Sequence, residues 1–336
     1  MNFIERFKRN SGIKILFIFL PVLVFLPQLF PGPATVGMFI SCGIASILAM
    51  GWLLILRIGC VSLGQVGFLA IGAYTSALLS QRLEVSPWLG LLLGGVSAGL
   101  VAFGIGMIFL KMSGLTFAII TFAFAEVIRL AFSRLHFFGG HGGIAQIPQF
   151  PPLHFPGVGI IQFDSPHSNY YILLVLIIVI SIAIWRMDHS ALSRTFKSIP
   201  QNESLAQSLG INPLKYKLIS YVTACFFAGG LGAFTAHYYG CIYPGSYSIG
   251  YSIIVQIQAT VGGIASVVFG GILGGSLMVI VENYLLRVDA RLIPIFYGSV
   301  IILITFFLPN GVLSLPRVIT NWQFPWRKRN QGLFKP

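Results

Sequence analysis

Long apolar runs alternate with short polar breaks along the whole chain. Ten runs can be outlined, each of 17 to 25 residues, and this is the length that an α-helix needs to cross a bilayer core of roughly 30 Å. The predicted segments are 14–31, 35–57, 61–80, 88–110, 114–133, 170–186, 216–240, 248–264, 267–286 and 292–309. The pattern predicts an all-α, polytopic transmembrane helical bundle that forms a single domain over residues 1–336.

The composition excludes the soluble classes of protein. Hydrophobic residues make up 56% of the chain and charged residues 9%, whereas about 25% of the residues in soluble domains are charged. The formal net charge of +13 does not indicate a nucleic-acid partner, because the basic residues lie beside the apolar segments, as they do in membrane proteins. This pattern predicts that the chain is surrounded by membrane lipid.

The distribution of basic residues predicts the orientation in the membrane. With the N-terminus in the cytoplasm, sixteen of the 21 Lys and Arg residues fall on the cytoplasmic side, as the positive-inside rule requires. Both termini are then cytoplasmic. Three regions lie outside the membrane: an outer loop at 134–169, a cytoplasmic loop at 187–215 and a basic cytoplasmic tail at 310–336.

The third and eighth segments are interrupted by glycines and carry polar residues. Gln65 and Gly72 are seven residues apart, as are Gln256 and Gly263, and each pair lies in the third of five segments in its half of the chain. Two interpretations are open. The halves form a 5+5 inverted repeat, as in many transporters with discontinuous helices, or two glycine-rich helices pack closely without any repeat.

The fifth segment contains an acid, which costs roughly 2.5–3.5 kcal/mol in lipid on insertion scales. Arg129 follows Glu126 at the third position, so the two side chains share a helical face and are expected to pair. The pair either lines a path or braces the bundle, or it reaches the membrane surface by snorkelling. Glu282, near the end of the ninth segment, is expected at the interface.

The sequence offers no residues for a metal or nucleotide site. Histidines of the outer loop match no compact zinc spacing, and no G-x-x-x-x-G-K-[ST] loop occurs. We expect neither a bound cofactor nor a catalytic site. The scarcity of further acids at mid-membrane depth counts against an ion-coupled secondary transporter, which usually needs a relay of such groups.

The 187–215 loop contains several helix caps. Ser190 and Asn202 are each placed to cap a short helix, and Gly210 supplies the left-handed residue that ends the second helix. Asn212 followed by Pro213 then begins the next segment. A compact helix–turn–helix is expected, the alternative being an amphipathic hairpin on the membrane surface.

Five stretches between about residues 40 and 310 resemble one family, and they occur in the order of that family. The loop sequence "ESLAQSLGINPLKYKL" resembles the coupling loop of bacterial ABC importer permeases. Four others are similar to motifs of branched-chain amino acid permeases: "SLGQVGFLAIGAYTSALL", "GLTFAIITFAFAEVIRL", "FGGHGGI" and "QIQATVGGIASVVFGGILGG".

The resemblance implies a permease subunit in the bacterial inner membrane that is not itself an enzyme. Its implied partners are a paralogous permease, two ATPase subunits that use ATP, and a periplasmic binding protein. Residues 134–169 would contact the binding protein, and residues 187–215 would couple to the ATPase. The candidate coupling residues are Glu203, Ala206, Gln207, Gly210 and Asn212.

A branched-chain amino acid is the substrate that the resemblance implies. Helix ends at the interrupted segments could present N–H groups to its carboxylate. The candidate path residues are Ser62, Gly64, Gln65, Gln256 and Thr260. Related permeases carry urea, short amides or other amino acids, and an ion-coupled amino acid transporter is a second alternative.

Three motifs depart from the family pattern. Gln207 and Ser208 stand where Glu and Ala are usual in the coupling helix, and Phe138 stands where Thr is usual in the outer motif. Ser266 and Val267 disturb the second glycine motif. The first departure bears on an acid-dependent contact with the ATPase, and the others bear on the substrate.

Overall fold

Helices account for most of the chain. The computed structural model describes residues 23–155, 159–161, 163, 165–308 and 311–314. In this part of the chain we number eleven α-helices in order. They are α1 (Pro33–Leu56), α2 (Gln65–Arg82), α3 (Pro87–Phe109), α4 (Gly114–Arg134), α5 (Pro166–His189), α6 (Ala191–Ser198), α7 (Glu203–Ser208), α8 (Pro213–Tyr239), α9 (Ile249–Gly262), α10 (Val267–Val288) and α11 (Leu292–Phe307).

Nine of the ten predicted segments coincide with described helices, namely α1 to α5 and α8 to α11. Residues 23–29 of the first predicted segment, 14–31, are also helical, whereas residues 14–22 and most of the tail, 310–336, lie outside the described residues. Within the described part, six helices are long and apolar enough to cross a membrane: α1, α3, α4, α5, α8 and α10. The helices α9 and α11 are apolar but shorter.

Two elements differ from the predicted pattern. The third segment was expected to be helical from residue 61, but α2 begins only at Gln65, so a buried non-helical stretch leads into it. The 134–169 loop also contains a two-stranded antiparallel hairpin, in which β1 (Leu153–Phe155) pairs with β2 (Gly159–Ile161). The bundle itself is helical, as predicted.

Proline sets the beginning of four long helices. Pro33, Pro87, Pro166 and Pro213 each occupy one of the first two positions of their helix. The first N–H groups of a helix lack intrahelical partners, so a residue without an N–H costs nothing there. The predicted segments begin one to four residues after these prolines.

Glycines let α2, α3 and α8 cross at backbone contact. A side chain at Gly72 in α2 would overlap the backbone of Gly229 in α8. A Cβ at Gly94 in α3 would lie 2.9 Å from the Gly72 carbonyl oxygen. Because lipid gives no hydrophobic force between helices, such close packing between small residues is what holds them together.

A second glycine crossing joins α1, α9 and α10. Side chains at Gly262 and Gly274 would overlap the backbones of α10 and α9, respectively. On an adjacent face of α10, a Cβ at Gly275 would lie 2.6 Å from the backbone nitrogen of Ser46 in α1. The bundle therefore consists of two tightly packed groups, each of three helices.

The two groups meet where α1 contacts α8. The Ser220 hydroxyl of α8 donates a 2.8 Å hydrogen bond to the Leu54 carbonyl of α1. Most of α1 is buried, so this helix lies at the centre of the bundle. Large parts of α3, α4 and α11 expose apolar side chains, as expected for surfaces that face lipid or another membrane subunit.

Replacing Gly72 with alanine should destabilise the bundle, because the added methyl group meets backbone that cannot move aside. We expect a loss of about 1–3 kcal/mol, typical of overpacking. Thermal unfolding of the purified protein in detergent measures it. The matched control is Gly104→Ala in α3, where a Cβ has no atom within 4 Å. Equal melting temperatures for the two variants would contradict the proposed crossing.

Candidate functional site

Side-chain caps begin each helix of the 187–215 loop. The Ser190 hydroxyl accepts a 3.2 Å hydrogen bond from the N–H of Leu192 at the start of α6. The Asn202 side chain accepts one of 3.0 Å from Leu205 in α7. Asn212 accepts one from the third residue of α8, at 3.4 Å. All three predicted caps are present, and they fix the path of the loop.

The helix α7 ends in a Schellman motif. Gly210 has a φ of +80°, in the left-handed region. Its N–H donates to the Gln207 carbonyl at 2.9 Å, and the N–H of Ile211 donates to the Ala206 carbonyl at 3.0 Å. These two bonds satisfy carbonyls that the end of a helix leaves unpaired. Only glycine takes this conformation without strain, apart from an occasional Asn or Asp.

Apolar contacts dock the loop on the bundle. Phe196 in α6 and Ile199 directly after it are buried, and so is Ala206 in α7. Pro200 packs against the turn after α1. A Cβ added to Gly59 in that turn would lie 3.0 Å from the Cβ of Pro200. The loop is therefore part of the folded bundle and not a free extension.

Two ion pairs reinforce this docking. The Lys217 ammonium of α8, with 7% of its side chain exposed, contacts the Glu203 carboxylate of α7 at 2.8 Å. Arg57, after the end of α1, pairs with Asp188 at the end of α5. The Cys60 thiol lies close to the first pair, and burial raises its pKa to about 11, an effect that the positive charge of Lys217 opposes.

The predicted coupling residues lie together on α7 and its ends. Glu203, Gln207, Gly210 and Asn212 are exposed, and the apolar side chains of Leu205 and Leu209 are exposed beside them, at 57% and 73%. Ala206 differs, since it is buried and supports the helix from beneath. The loop thus presents a rigid, partly apolar end to solvent.

The first group of predicted path residues lies at the beginning of α2. The N–H of Gly64 donates to the buried Ser62 hydroxyl at 3.3 Å, and a Cβ at Gly64 would lie 2.6 Å from the Thr121 carbonyl oxygen of α4. Gln65 is 3% exposed, and its amide group has no hydrogen-bond partner among the described residues. This glutamine is a buried polar group with unused bonding capacity.

The second group of predicted path residues lies on α9. Gln256 and Thr260 are half-buried, and the Thr260 hydroxyl donates back to the Gln256 carbonyl at 2.8 Å. Because the Gln65 amide has no described partner, no hydrogen bond joins it to this group. The structure therefore brings together each group of path candidates, but it does not link the two groups.

Glu126 and Arg129 pair on α4 as expected. The Arg129 Nε donates to the carboxylate at 2.9 Å, and its terminal nitrogen contacts the other oxygen. About a quarter of each side chain is exposed, 26% for Glu126 and 27% for Arg129. A two-point pair of this kind neutralises both charges within one helix.

A tyrosine-lined cavity between the two helix groups was not predicted. Its volume is about 480 Å³, and its polar lining includes Thr235 and Ser246. Tyrosines at every fourth position, which are Tyr239, Tyr243, Tyr247 and Tyr251, also line it. That regular spacing is a signal that the sequence did contain. Ile44 of α1 and Leu69 of α2 close the apolar side.

A second cavity of about 270 Å³ adjoins the first and is lined by Gln258, Glu282 and Asn283. Glu282 was expected at the membrane interface. It is half-buried and accepts a 2.8 Å hydrogen bond from the Tyr297 hydroxyl of α11. Besides the path candidate Gln256, the helix α9 carries Gln258, which is buried at 2% exposure.

The glycine-rich outer motif ties the 134–169 loop to the rim of the tyrosine cavity. Ile144 and Ile242 exchange two backbone hydrogen bonds of 2.8 Å, and any side chain on Gly143 would overlap the Ile242 carbonyl. Nearby, the buried ring of His237 bridges the Ser76 hydroxyl and the Pro148 carbonyl, each at 2.7 Å. This histidine was also not predicted.

A bundle of long apolar helices with a capped polar loop and an internal polar cavity defines a multi-pass membrane protein. Residues 34–308 match the family described as the branched-chain amino acid transport system permease component. The chain belongs to this family, as the five sequence motifs indicated.

Two curated relatives share the same name, high-affinity branched-chain amino acid transport system permease protein LivM. They come from Salmonella typhimurium strain LT2 and Escherichia coli K12. Each is 30% identical to this chain over 278 residues, which is 77% of this chain and 65% of the relative. The chain thus matches somewhat less than two thirds of their length. No solved structure matches the chain.

Removing the charge of Glu203 should loosen the loop more than removing that of Lys217. Glu203→Gln leaves a buried ammonium without its partner, a change of the kind that costs about 3–5 kcal/mol when both charges are buried and less here because Glu203 is half exposed. Lys217→Met removes the buried charge and keeps the stem. Cleavage by trypsin at Arg194 and Lys197 measures the loosening.

The double variant Glu203→Gln with Lys217→Met serves as the control. It should be cleaved more slowly than Glu203→Gln alone, since no buried charge is left unpaired. Equal cleavage of Glu203→Gln and Lys217→Met would contradict the assignment of a buried, paired lysine.

Proposed function

We propose that this chain is a membrane-spanning permease subunit of an ATP-driven ABC importer, which moves branched-chain amino acids from the periplasm to the cytoplasm. It lies in the bacterial inner membrane and forms a heterodimer with a paralogous permease. Two ATPase subunits bind from the cytoplasm, and a periplasmic binding protein delivers the substrate. The chain binds no cofactor itself.

The capped loop at 187–215 is the observation that carries this proposal. Its end is rigid, because the Schellman motif at Gly210 and the cap at Asn202 fix both ends of α7. Its exposed surface combines Leu205 and Leu209 with the polar Gln207. An apolar centre with a polar rim suits docking to a soluble partner, here the ATPase.

The connection from this loop to the tyrosine cavity suggests how force is transmitted. When the two ATPase subunits close on ATP, they move α7. The Glu203–Lys217 pair and the Asn212 cap attach α7 to the first turns of α8. The helix α8 then continues without a break to Tyr239, which lines the cavity. Its movement changes the cavity between inward-facing and outward-facing forms.

Ten segments with both termini in the cytoplasm form the proposed topology, and the halves form an inverted repeat. The swapped glycine crossings support this. In one crossing the third and fourth segments of the first half, α2 and α3, clamp the second segment of the other half, α8. In the other crossing the fourth segment of the second half, α10, packs at glycine against the second segment of the first half, α1, and also against α9. Two unrelated glycine-rich helices would have no reason to repeat this arrangement.

The path proposed for the substrate passes between the two groups. The beginning of α2, with Ser62, Gly64 and Gln65, lies on one side, and the half of α9 with Gln256 and Thr260 lies on the other. The unpaired amide of Gln65 is a suitable donor or acceptor for a passing polar group. The Glu126–Arg129 pair serves as a brace within α4, since its charges already satisfy each other.

Gly210→Val should abolish substrate uptake while the protein still inserts in the membrane. Space for the side chain exists, since no atom lies within 4 Å of its Cβ, but valine is strained at a φ of +80°. Uptake of labelled leucine by cells is the measurement. Gly210→Asn is the matched control, because asparagine tolerates the left-handed region. Undiminished uptake by the valine variant would refute the docking assignment.

Uptake should depend on ATP and not on the proton gradient. In cells whose ATP is depleted, uptake of leucine, isoleucine and valine should stop. An uncoupler that leaves ATP intact should have little effect. The opposite result would favour an ion-coupled secondary transporter. Uptake of urea or a short amide in place of the three amino acids would keep the importer and change its substrate.

A further inference from the structure

The two cavities adjoin each other and form one chamber. Ile44, Tyr239 and Tyr251 line both of them. The larger part, of about 480 Å³, falls within the range of roughly 300–1,000 Å³ that is usual for small-ligand sites. The smaller part carries Glu282, which is the acidic residue of the chamber.

A hydrogen-bond chain in the smaller part runs in one direction. Gln258 Nε2 donates to the Tyr297 hydroxyl at 3.4 Å. The Tyr297 hydroxyl in turn donates to Glu282 Oε2 at 2.8 Å. A carboxylate has only acceptors, so the hydroxyl proton of Tyr297 must point to Glu282, and the amide nitrogen of Gln258 must point to Tyr297. Since the amide nitrogen of Gln258 is the atom that bonds Tyr297, the other amide atom of Gln258 is its oxygen, Oε1.

This oxygen is left without a donor. Gln258 Oε1 is buried and has no hydrogen-bond partner in the described part of the chain, although burying an unpaired acceptor costs free energy. The Asn283 Nδ2 donates to the Val279 carbonyl at 2.9 Å, which leaves its own oxygen as a further acceptor. The smaller part is therefore rich in acceptors and carries a negative charge.

Basic side chains do not balance this charge. Neither cavity is lined by Lys or Arg among the residues that the structure describes. A group that fits must be cationic and must offer several N–H donors. A primary ammonium group has three N–H donors and one positive charge, and it also interacts favourably with the faces of tyrosines.

We propose that the smaller cavity binds the primary ammonium group of a zwitterionic amino acid, with Glu282 and Gln258 as its acceptors. Tyr297 acts as a positioning residue that orients Glu282. The apolar side chain of the substrate extends toward Ile44 and Leu69 in the larger part. The inference rests on the proposed function and adds to it a requirement for an ammonium group, which urea and simple amides lack.

Binding of L-leucine to the transporter, purified with its partner subunits but without the binding protein, tests the proposal. L-Leucine should raise the melting temperature of the wild type. The hydroxy acid 4-methyl-2-hydroxypentanoate, in which a hydroxyl replaces the ammonium, should not. Glu282→Gln should weaken leucine binding about ten- to a hundredfold, as expected for loss of a hydrogen bond to a charged group.

Matched hydroxyl deletions on α11 separate positioning from general damage. Tyr297→Phe should weaken leucine binding, whereas Ser299→Ala should not, because the exposed Ser299 hydroxyl only donates to the Ile295 carbonyl of its own helix. If Glu282→Gln does not accumulate in the membrane, Gln258→Met, which removes the acceptor at similar size, decides the matter in the same assay.

The outcomes distinguish this proposal from the proposed function. Equal stabilisation by leucine and its hydroxy analogue, or undiminished leucine binding by Glu282→Gln, overturns the ammonium site. No stabilisation of the wild type by leucine, while cells still take leucine up, also overturns the site and leaves the importer assignment intact. Absence of ATP-dependent leucine uptake by cells would refute the proposed function itself.

Discussion

Direct contact between helix backbones at glycine is the constraint on which the rest of the bundle depends. In lipid, apolar side chains gain little by leaving their surroundings for one another, so association relies on close packing. Gly72, Gly94 and Gly229 bring α2, α3 and α8 within backbone contact. Gly262 and Gly274 bring α9 and α10 into backbone contact, and Gly275 brings α10 against α1. Backbone contact therefore sets the spacing of the helices within each group.

Because helices within a group are in backbone contact, the distance that can change most easily is the one between the two groups. The tyrosine-lined chamber lies there, with Ile44 and Tyr251 from one group and Leu69 and Tyr239 from the other. A movement of one group against the other changes the chamber before it changes either crossing. The polar loop at 187–215 is attached to α8, a member of one group.

The sequence predicted what depends on local interactions and missed what depends on distant ones. Helix positions followed from the apolar runs, and the caps of the loop followed from Ser190, Asn202 and Asn212, because a cap acts within three residues. Whether a side chain faces the chamber depends on helix rotation. Gln256 and Gln258 lie on opposite faces of α9, since two residues correspond to about 200°, and spacing alone does not show which of the two faces the chamber.

The two acids Glu126 and Glu282 differ in whether a basic side chain already pairs with them. Glu126 makes a two-point ion pair with Arg129, so its charge is neutralised without any ligand. Glu282 belongs to none of the three ion pairs found in the described part of the chain, and its hydrogen-bond donor, Tyr297, is neutral. A half-buried carboxylate without a basic partner is open to a cation from outside the chain. The chamber beside Glu282 supplies that access, which makes this acid, and not the paired one, the residue that a substrate meets.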